Sequence, residues 1–160
     1  MRRLFIAIEI PDEIKKSIAT AVDEIKKDVA GTFVSPEKLH ISILFLGSPK
    51  QTDEEITEAL KAIEFDREVE IGGLGAFPST KNPRTLFMKV HTDLQDVHKL
   101  LMKKIGLPAR DEPFIPHITI CRMKETPTKE IDDSIFGMMK FRAKKLTLFD
   151  SDFKNYRRVY

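Results

Sequence analysis

The sequence predicts an α+β protein with two pseudo-symmetric lobes, mostly antiparallel sheets lining a central cleft, and helices outside. Three observations lead there. Short β-rich apolar runs alternate with stretches of helical periodicity, and the strand–helix–strand plan recurs in the second half. No Gly/Ser linker divides the halves, so residues 1–160 read as a single two-lobed domain. One four-residue pattern (His, apolar, hydroxyl, apolar) stands once in each half.

The elements follow in order. Leu4 to Ile10 is apolar and reads as a buried strand. Pro11-Asp12 opens a helix with Asp12 as N-cap; Ile14, Ile18, Val22, Ile25 and Val29 recur at helical spacing, and Gly31 stops it. Phe33-Val34 is a short extended piece before the polar turn Ser35-Pro36-Glu37-Lys38. Leu39 to Leu46 is a strand ended by Gly47-Ser48-Pro49. Thr52 and Glu55 form a capping box for a helix through Ile63. Val69 to Leu74 is a strand, and Gly72 to Arg84 reads as a long Gly/Pro-containing connection. In the second half, Leu86 to Val90 is a strand, and Asp93 caps a helix that Gly106 and Pro108 stop. Ile118 to Met123 and Lys145 to Phe149 are strands, Arg157 to Tyr160 an edge, and a helix is expected from Thr128.

Composition narrows the function classes. Of the 160 residues, 41% are hydrophobic, enough for a real core, and 27 basic side chains face 25 acidic ones. A net charge of +2 excludes a general polyelectrolyte binder, so a nucleic-acid partner, if there is one, must be gripped locally by a cleft. The single cysteine, Cys121, excludes an intrachain disulfide and a Cys-rich zinc site, which fits a reducing cytoplasm. The apolar start ends at Glu9, Pro11 and Asp12, too early for a signal peptide, and no apolar run approaches the roughly 20 residues of a spanning helix. A cytoplasmic monomer away from membranes is expected.

The chemistry lies in His40-Ile41-Ser42-Ile43 and His117-Ile118-Thr119-Ile120. Strands alternate faces, so histidine and hydroxyl at i and i+2 share one face, with Cα atoms about 6.6 Å apart at roughly 3.3 Å per residue. A phosphate fits between such groups. Opening a cyclic phosphodiester with water requires a base for the water and an acid for the leaving oxygen. Two imidazoles suit both tasks near neutral pH, and an anionic phosphate between them raises both apparent pKa values. The hydroxyls donate to the non-bridging oxygens.

These motifs carry a family resemblance. With the opening Arg3-Leu4-Phe5-Ile6-Ala7-Ile8-Glu9-Ile10-Pro11, the stretch Leu39 to Gly47 and the stretch Pro116 to Arg122, the chain resembles the two-histidine phosphoesterase superfamily. Within it, the chain is similar to the RNA 2′,3′-cyclic phosphodiesterases, historically called 2′-5′ RNA ligases; Leu148, Ser151 and Tyr156 echo their C-terminal pattern. The resemblance implies that His40 and His117 are the catalytic pair, His40 giving a proton to the leaving 3′-oxygen and His117 activating water. It implies that Ser42, Thr119 and Arg122 bind the phosphate, that no cofactor is needed, and that the partner is RNA with a 2′,3′-cyclic phosphate end, tRNA fragments included. The product is then a 2′-phosphate. Ser42 stands where threonine is commoner, which keeps the hydroxyl and loses the methyl that fixes its rotamer.

Other readings compete. A lone strand histidine is usually structural; the pairing sets His40 and His117 apart. Arg122, five positions after His117, faces away in a regular strand, so a bulge or strand end must re-aim it. Cys121 shares parity with His117 and reads as a small packing residue. Phe77 either packs or borders the cleft. His98 and Arg110 read as surface. A metal site is disfavoured, because neither histidine has Asp, Glu or Cys at ligand spacing. The same site run backwards is a 2′-5′ RNA ligase. An RNA-end binding module without turnover is the non-enzymatic alternative.

Overall fold

A computed structural model describes residues 2–79, 81–151 and 156–160. Met1 of the apolar start and Thr80 of the expected connection lie outside them. β1 (Leu4–Glu9) leads into α1 (Asp12–Ile25), then β2 (Gly31–Phe33) and β3 (His40–Gly47). α2 (Asp53–Lys61), β4 (Arg67–Phe77), β5 (Thr85–Val90), α3 (Gln95–Ile105), β6 (His117–Met123), β7 (Met139–Ala143), β8 (Thr147–Asp150) and β9 (Arg157–Arg158) complete the order. Four strands form one sheet in the order β3-β1-β8-β9, and five form the other in the order β2-β6-β5-β4-β7. Every pairing is antiparallel.

The lobes are not the sequence halves. β2 and β4 of the first half join the five-stranded sheet, and β8 and β9 of the second half complete the four-stranded one. Each helix buries one face: Ile18, Val22 and Ile25 of α1, Ile56 and Leu60 of α2, and Val97, Leu101 and Ile105 of α3. These side chains and those of both sheets form one contiguous apolar cluster. The sheets meet where β3 runs beside β6, with no ladder between them. Among the described residues, no helix is long and apolar enough to cross a membrane.

Several boundaries differ from expectation. Asp12 is the first helical residue of α1 rather than its N-cap, which is Pro11. Gly31 does not stop that helix, which gives way at Ile25 to a 3₁₀ turn over Lys26–Asp28. Gly31 lies instead in β2, where a Cβ would stand 2.4 Å from the Arg122 carbonyl oxygen and 2.6 Å from Cys121 Sγ. Thr52 caps α2 as expected, accepting the Glu55 amide at 3.1 Å, but the helix ends at Lys61. The N-cap of α3 is Leu94, although the Asp93 carboxylate still accepts the Gln95 amide at 2.9 Å. Gly106 ends that helix with a left-handed φ of 86°.

The expected long connection is mostly strand, because β4 continues to Phe77 opposite β5. No helix forms from Thr128 among the described residues; only a 3₁₀ turn at Asp133–Ile135 appears. That stretch offers Ile131 as its sole apolar anchor before Ile135, so a helix there has no face to bury. β7 was not anticipated. Its Met139, Phe141 and Ala143 alternate with Lys140 and Arg142, a readable strand signal; Lys140 pairs with Glu70 at 3.6 Å across the ladder to β4.

Candidate active site

Both histidines open a strand, and both are oriented in the same way. His40 Nδ1 lies 2.6 Å from the Lys38 carbonyl oxygen, and His117 Nδ1 lies 2.8 Å from the Ile115 carbonyl oxygen. A carbonyl only accepts, so each Nδ1 carries the proton, and each neutral ring leaves Nε2 as an acceptor. His40 Nε2 meets Ser42 Oγ at 2.9 Å. The sequence leaves a gap there for a phosphate; in the structure the two groups close on each other. Ser42 is only 8% exposed and, with His117, lines one cavity of about 300 Å³. The Ser42 hydroxyl therefore joins the His40 ring to the space that His117 borders. Thr119 is half-buried opposite Phe87 on β5.

Aromatic rings wall each imidazole. Phe5 lies 4.9 Å from His40 and Tyr156 lies 5.6 Å from it edge-on. Phe77 and Phe87 stand edge-on to His117 at 5.0 and 5.4 Å, and stack on each other at 4.3 Å. Phe77 thus borders the cleft. Gly75 makes that stack possible, because a Cβ there would lie 2.5 Å from the Phe87 ring.

A matched bulge follows each motif. Along β6, His117, Ile118 and Thr119 lie opposite Lys89, Met88 and Phe87; the register then skips Ile120, so Cys121 and Arg122 face Leu86 and Thr85. The extra residue reverses the parity. Arg122 returns to the face of His117 and Thr119, while Cys121 turns into the core, where burial pushes its thiol pKa up. Along β3, His40, Ile41 and Ser42 lie opposite Glu9, Ile8 and Ala7; the register skips Ile43, so Leu44 and Phe45 face Ile6 and Phe5. Phe45 therefore holds on β3 the position that Arg122 holds on β6, and it is 60% exposed. Sequence reading missed Phe45, Phe5 and Phe87. For Phe45 the bulge is why, since no residue type marks it; Phe5 and Phe87 lie on the partner strands β1 and β5, and only strand pairing brings them to the histidines.

The sequence marks His98 and Arg110 as surface residues; both line the cavity of Ser42 and His117. Glu9, opposite His40, is committed elsewhere. Burial alone would raise its carboxyl pKa, but the bonds from Arg158 and the Thr147 hydroxyl (2.8 Å) outweigh that and hold it below the usual range. Burial likewise pushes the His40 imidazole below its ordinary value; the Lys38 carbonyl opposes this, and the charges of His117 and Lys15 add to the lowering. In the free protein His40 thus departs downward from the rise expected with phosphate bound. Among the described residues, no three His, Cys, Asp or Glu side chains converge as a metal-binding group.

Two antiparallel sheets meeting at a pair of histidine-bearing strands define the class of two-histidine phosphoesterases. The chain belongs to the 2′-5′ RNA ligase superfamily, whose family model matches residues 10–153. Its relatives include the RNA 2′,3′-cyclic phosphodiesterase of Aquifex aeolicus, 32% identical over 74% of this chain and 71% of the relative. The protein of the same name from Archaeoglobus fulgidus is 30% identical over 90% of this chain and 89% of the relative. Among solved structures, TT0787 of Thermus thermophilus superposes with a TM-score of 0.81 at 25% identity, covering 99% of this chain and 95% of its own. E. coli LigT complexed with 3′-AMP shares the fold at a TM-score of 0.78 and 23% identity, over 98% and 92% of the chains.

Proposed function

We propose that the protein hydrolyses the 2′,3′-cyclic phosphate end of an RNA or oligonucleotide to a 2′-phosphate, with His40 and His117 as the acid–base pair. One observation carries the reading: the two Nδ1 atoms are tied to backbone carbonyls in the same way, and Ser42, whose hydroxyl meets His40 Nε2, lines the cavity that His117 borders, while His40 itself lines a separate cavity with Glu9, Lys38 and Tyr156. The name borne by the relatives supports the substrate class.

The neutral Nε2 of His117 takes a proton from water as the water oxygen attacks phosphorus. The P–O3′ bond breaks, and protonated His40 gives its Nε2 proton to the departing 3′-oxygen. A 3′-hydroxyl and a 2′-phosphate result, and the two rings exchange protons with solvent to reset. Ser42 and Thr119 donate to the non-bridging oxygens, where charge develops. Phosphate binding replaces the Ser42–His40 bond with one from each group to the substrate. Arg122, on the same face as His117, supplies a positive charge to the phosphate.

The test is an oligonucleotide bearing the cyclic end, with a 5′-hydroxyl acceptor strand and excess chelator. A 2′-phosphate product is the expected outcome. A joined 2′-5′ strand as the main product means ligation, and tight binding without turnover means an RNA-end binding module; either overturns the hydrolase reading.

A further inference from the structure

A bulged residue needs a donor for its displaced carbonyl. On β6, which has a neighbour on each side, the Val34 amide donates to the Ile120 carbonyl at 2.8 Å. Among the described residues, β3 is the edge of its sheet and has no hydrogen-bonded strand on its outer side. There the ring of His98, on α3, donates from Nδ1 to the Ile43 carbonyl at 2.7 Å. The next outward carbonyl, that of Phe45, accepts from Arg110 Nη2 at 3.0 Å. The His98 ring is itself held. It stacks on Phe114 with centroids 4.4 Å apart and planes within 8°, and Gln95 Nε2 donates to the Phe114 carbonyl at 2.5 Å.

We infer that His98 is a positioning residue: it stands in for the strand neighbour that β3 lacks and holds the bulge that follows Ser42. The inference rests on the proposed role of β3 in the acid–base site. Ile43 is bonded directly to Ser42, so the place of its peptide sets where the Ser42 hydroxyl and the His40 ring stand relative to His117. His98 fixes that distance between the sheets without touching the reacting atoms. An edge carbonyl without its donor lets the bulge shift, and misplacement of a positioned group is costly for rate even when substrate binding persists.

Two substitutions separate the hydrogen bond from the ring. His98→Phe keeps the stack on Phe114 and removes the donor. His98→Asn removes the stack and keeps a donor at the place of Nδ1. With the cyclic-end oligonucleotide, His98→Phe is expected to lower kcat about tenfold or more with KM within about twofold, while His98→Asn stays within about threefold of wild type. Amide hydrogen exchange gives a readout independent of activity: protection over Leu44 and Phe45 falls in His98→Phe and is kept in His98→Asn. Wild-type kcat and wild-type protection in His98→Phe overturn the inference, as does an equal loss in both variants that tracks their thermal midpoints. Should His98→Phe fail to fold, His98→Leu takes its place with the same outcomes. An inactive wild type overturns the proposed function alone, because the exchange comparison still decides whether His98 holds the bulge.

Discussion

At the residue scale, the twin histidines differ in what surrounds them. His40 is held below its ordinary pKa first by burial, whereas an anionic phosphate favours the charged ring. The acid role therefore requires His40 to take up or retain its proton as substrate binds. The sign follows directly: a pKa higher in the complex than in the free enzyme keeps the proton to higher pH. The alkaline limb of kcat is thus expected at higher pH than the alkaline limb of kcat/KM, and steady-state rates from about pH 5 to 9 check it. Coincident limbs would remove the coupling of phosphate to His40. His40→Ala and His117→Ala are each expected to lower kcat by about 10²-fold or more, with circular dichroism unchanged, since each removes one proton-transfer partner. Ser42→Ala and Thr119→Ala should cost less, because a donor lost to a non-bridging oxygen leaves both proton transfers in place.

At the scale of elements, two glycines set how closely strands approach the site. Gly75 gives Phe87 its space, and Phe87 with Phe77 walls His117. Gly75→Ala places a methyl group 2.5 Å from the Phe87 ring. The ring must turn toward Phe77 and His117, so both stability and rate are expected to fall, the former by about 1–3 kcal/mol as for other overpacked sites. Thermal unfolding and kcat measured together check this; a variant with wild-type values of both would show that the stack yields freely. Gly31 plays the same part for β2 against the end of β6 that carries Arg122, so Gly31→Ala is expected to raise KM for the cyclic phosphate.

For the whole molecule, exchanged strands matter more than the repeat of the motif. β8 and β9 finish the sheet that β1 and β3 begin, and β2 and β4 build into the other sheet. Neither lobe can complete its sheet without chain from the other half, and one apolar cluster runs through both. We therefore expect a single cooperative unfolding transition, with far-UV circular dichroism and tyrosine fluorescence coincident in urea. Two separated transitions would mean that the lobes are independent domains. Saturating chelator should leave the pH–rate curve unchanged. Activity lost to chelator and restored by zinc or manganese would recast the histidines as ligands.

Much of this was legible in the residues. Helical spacing placed α1 and α3, the Thr52–Glu55 capping box placed α2, alternation and β-rich runs placed β1, β3, β5 and β6, and the paired motifs singled out His40, Ser42, His117 and Thr119. These signals are local: they depend on which side chains stand two, three or four positions apart. Other features depended on contacts between distant segments. The bulges at Ile43 and Ile120 appear only when β3 meets β1 and β6 meets β5, yet they decide that Phe45 shares the face of His40 and Ser42, that Arg122 shares the face of His117 and Thr119, and that Cys121 does not. His98 read as an ordinary helical surface residue because its partner, the Ile43 carbonyl, lies 55 positions away in the chain. The sequence by itself determined most of the elements and singled out the paired motifs, because periodicity and side-chain type act at short range. Only the tertiary structure decided strand exchange, ring tautomers and which odd-numbered offsets reach the site, because backbone carbonyls find their donors across the fold rather than along the chain.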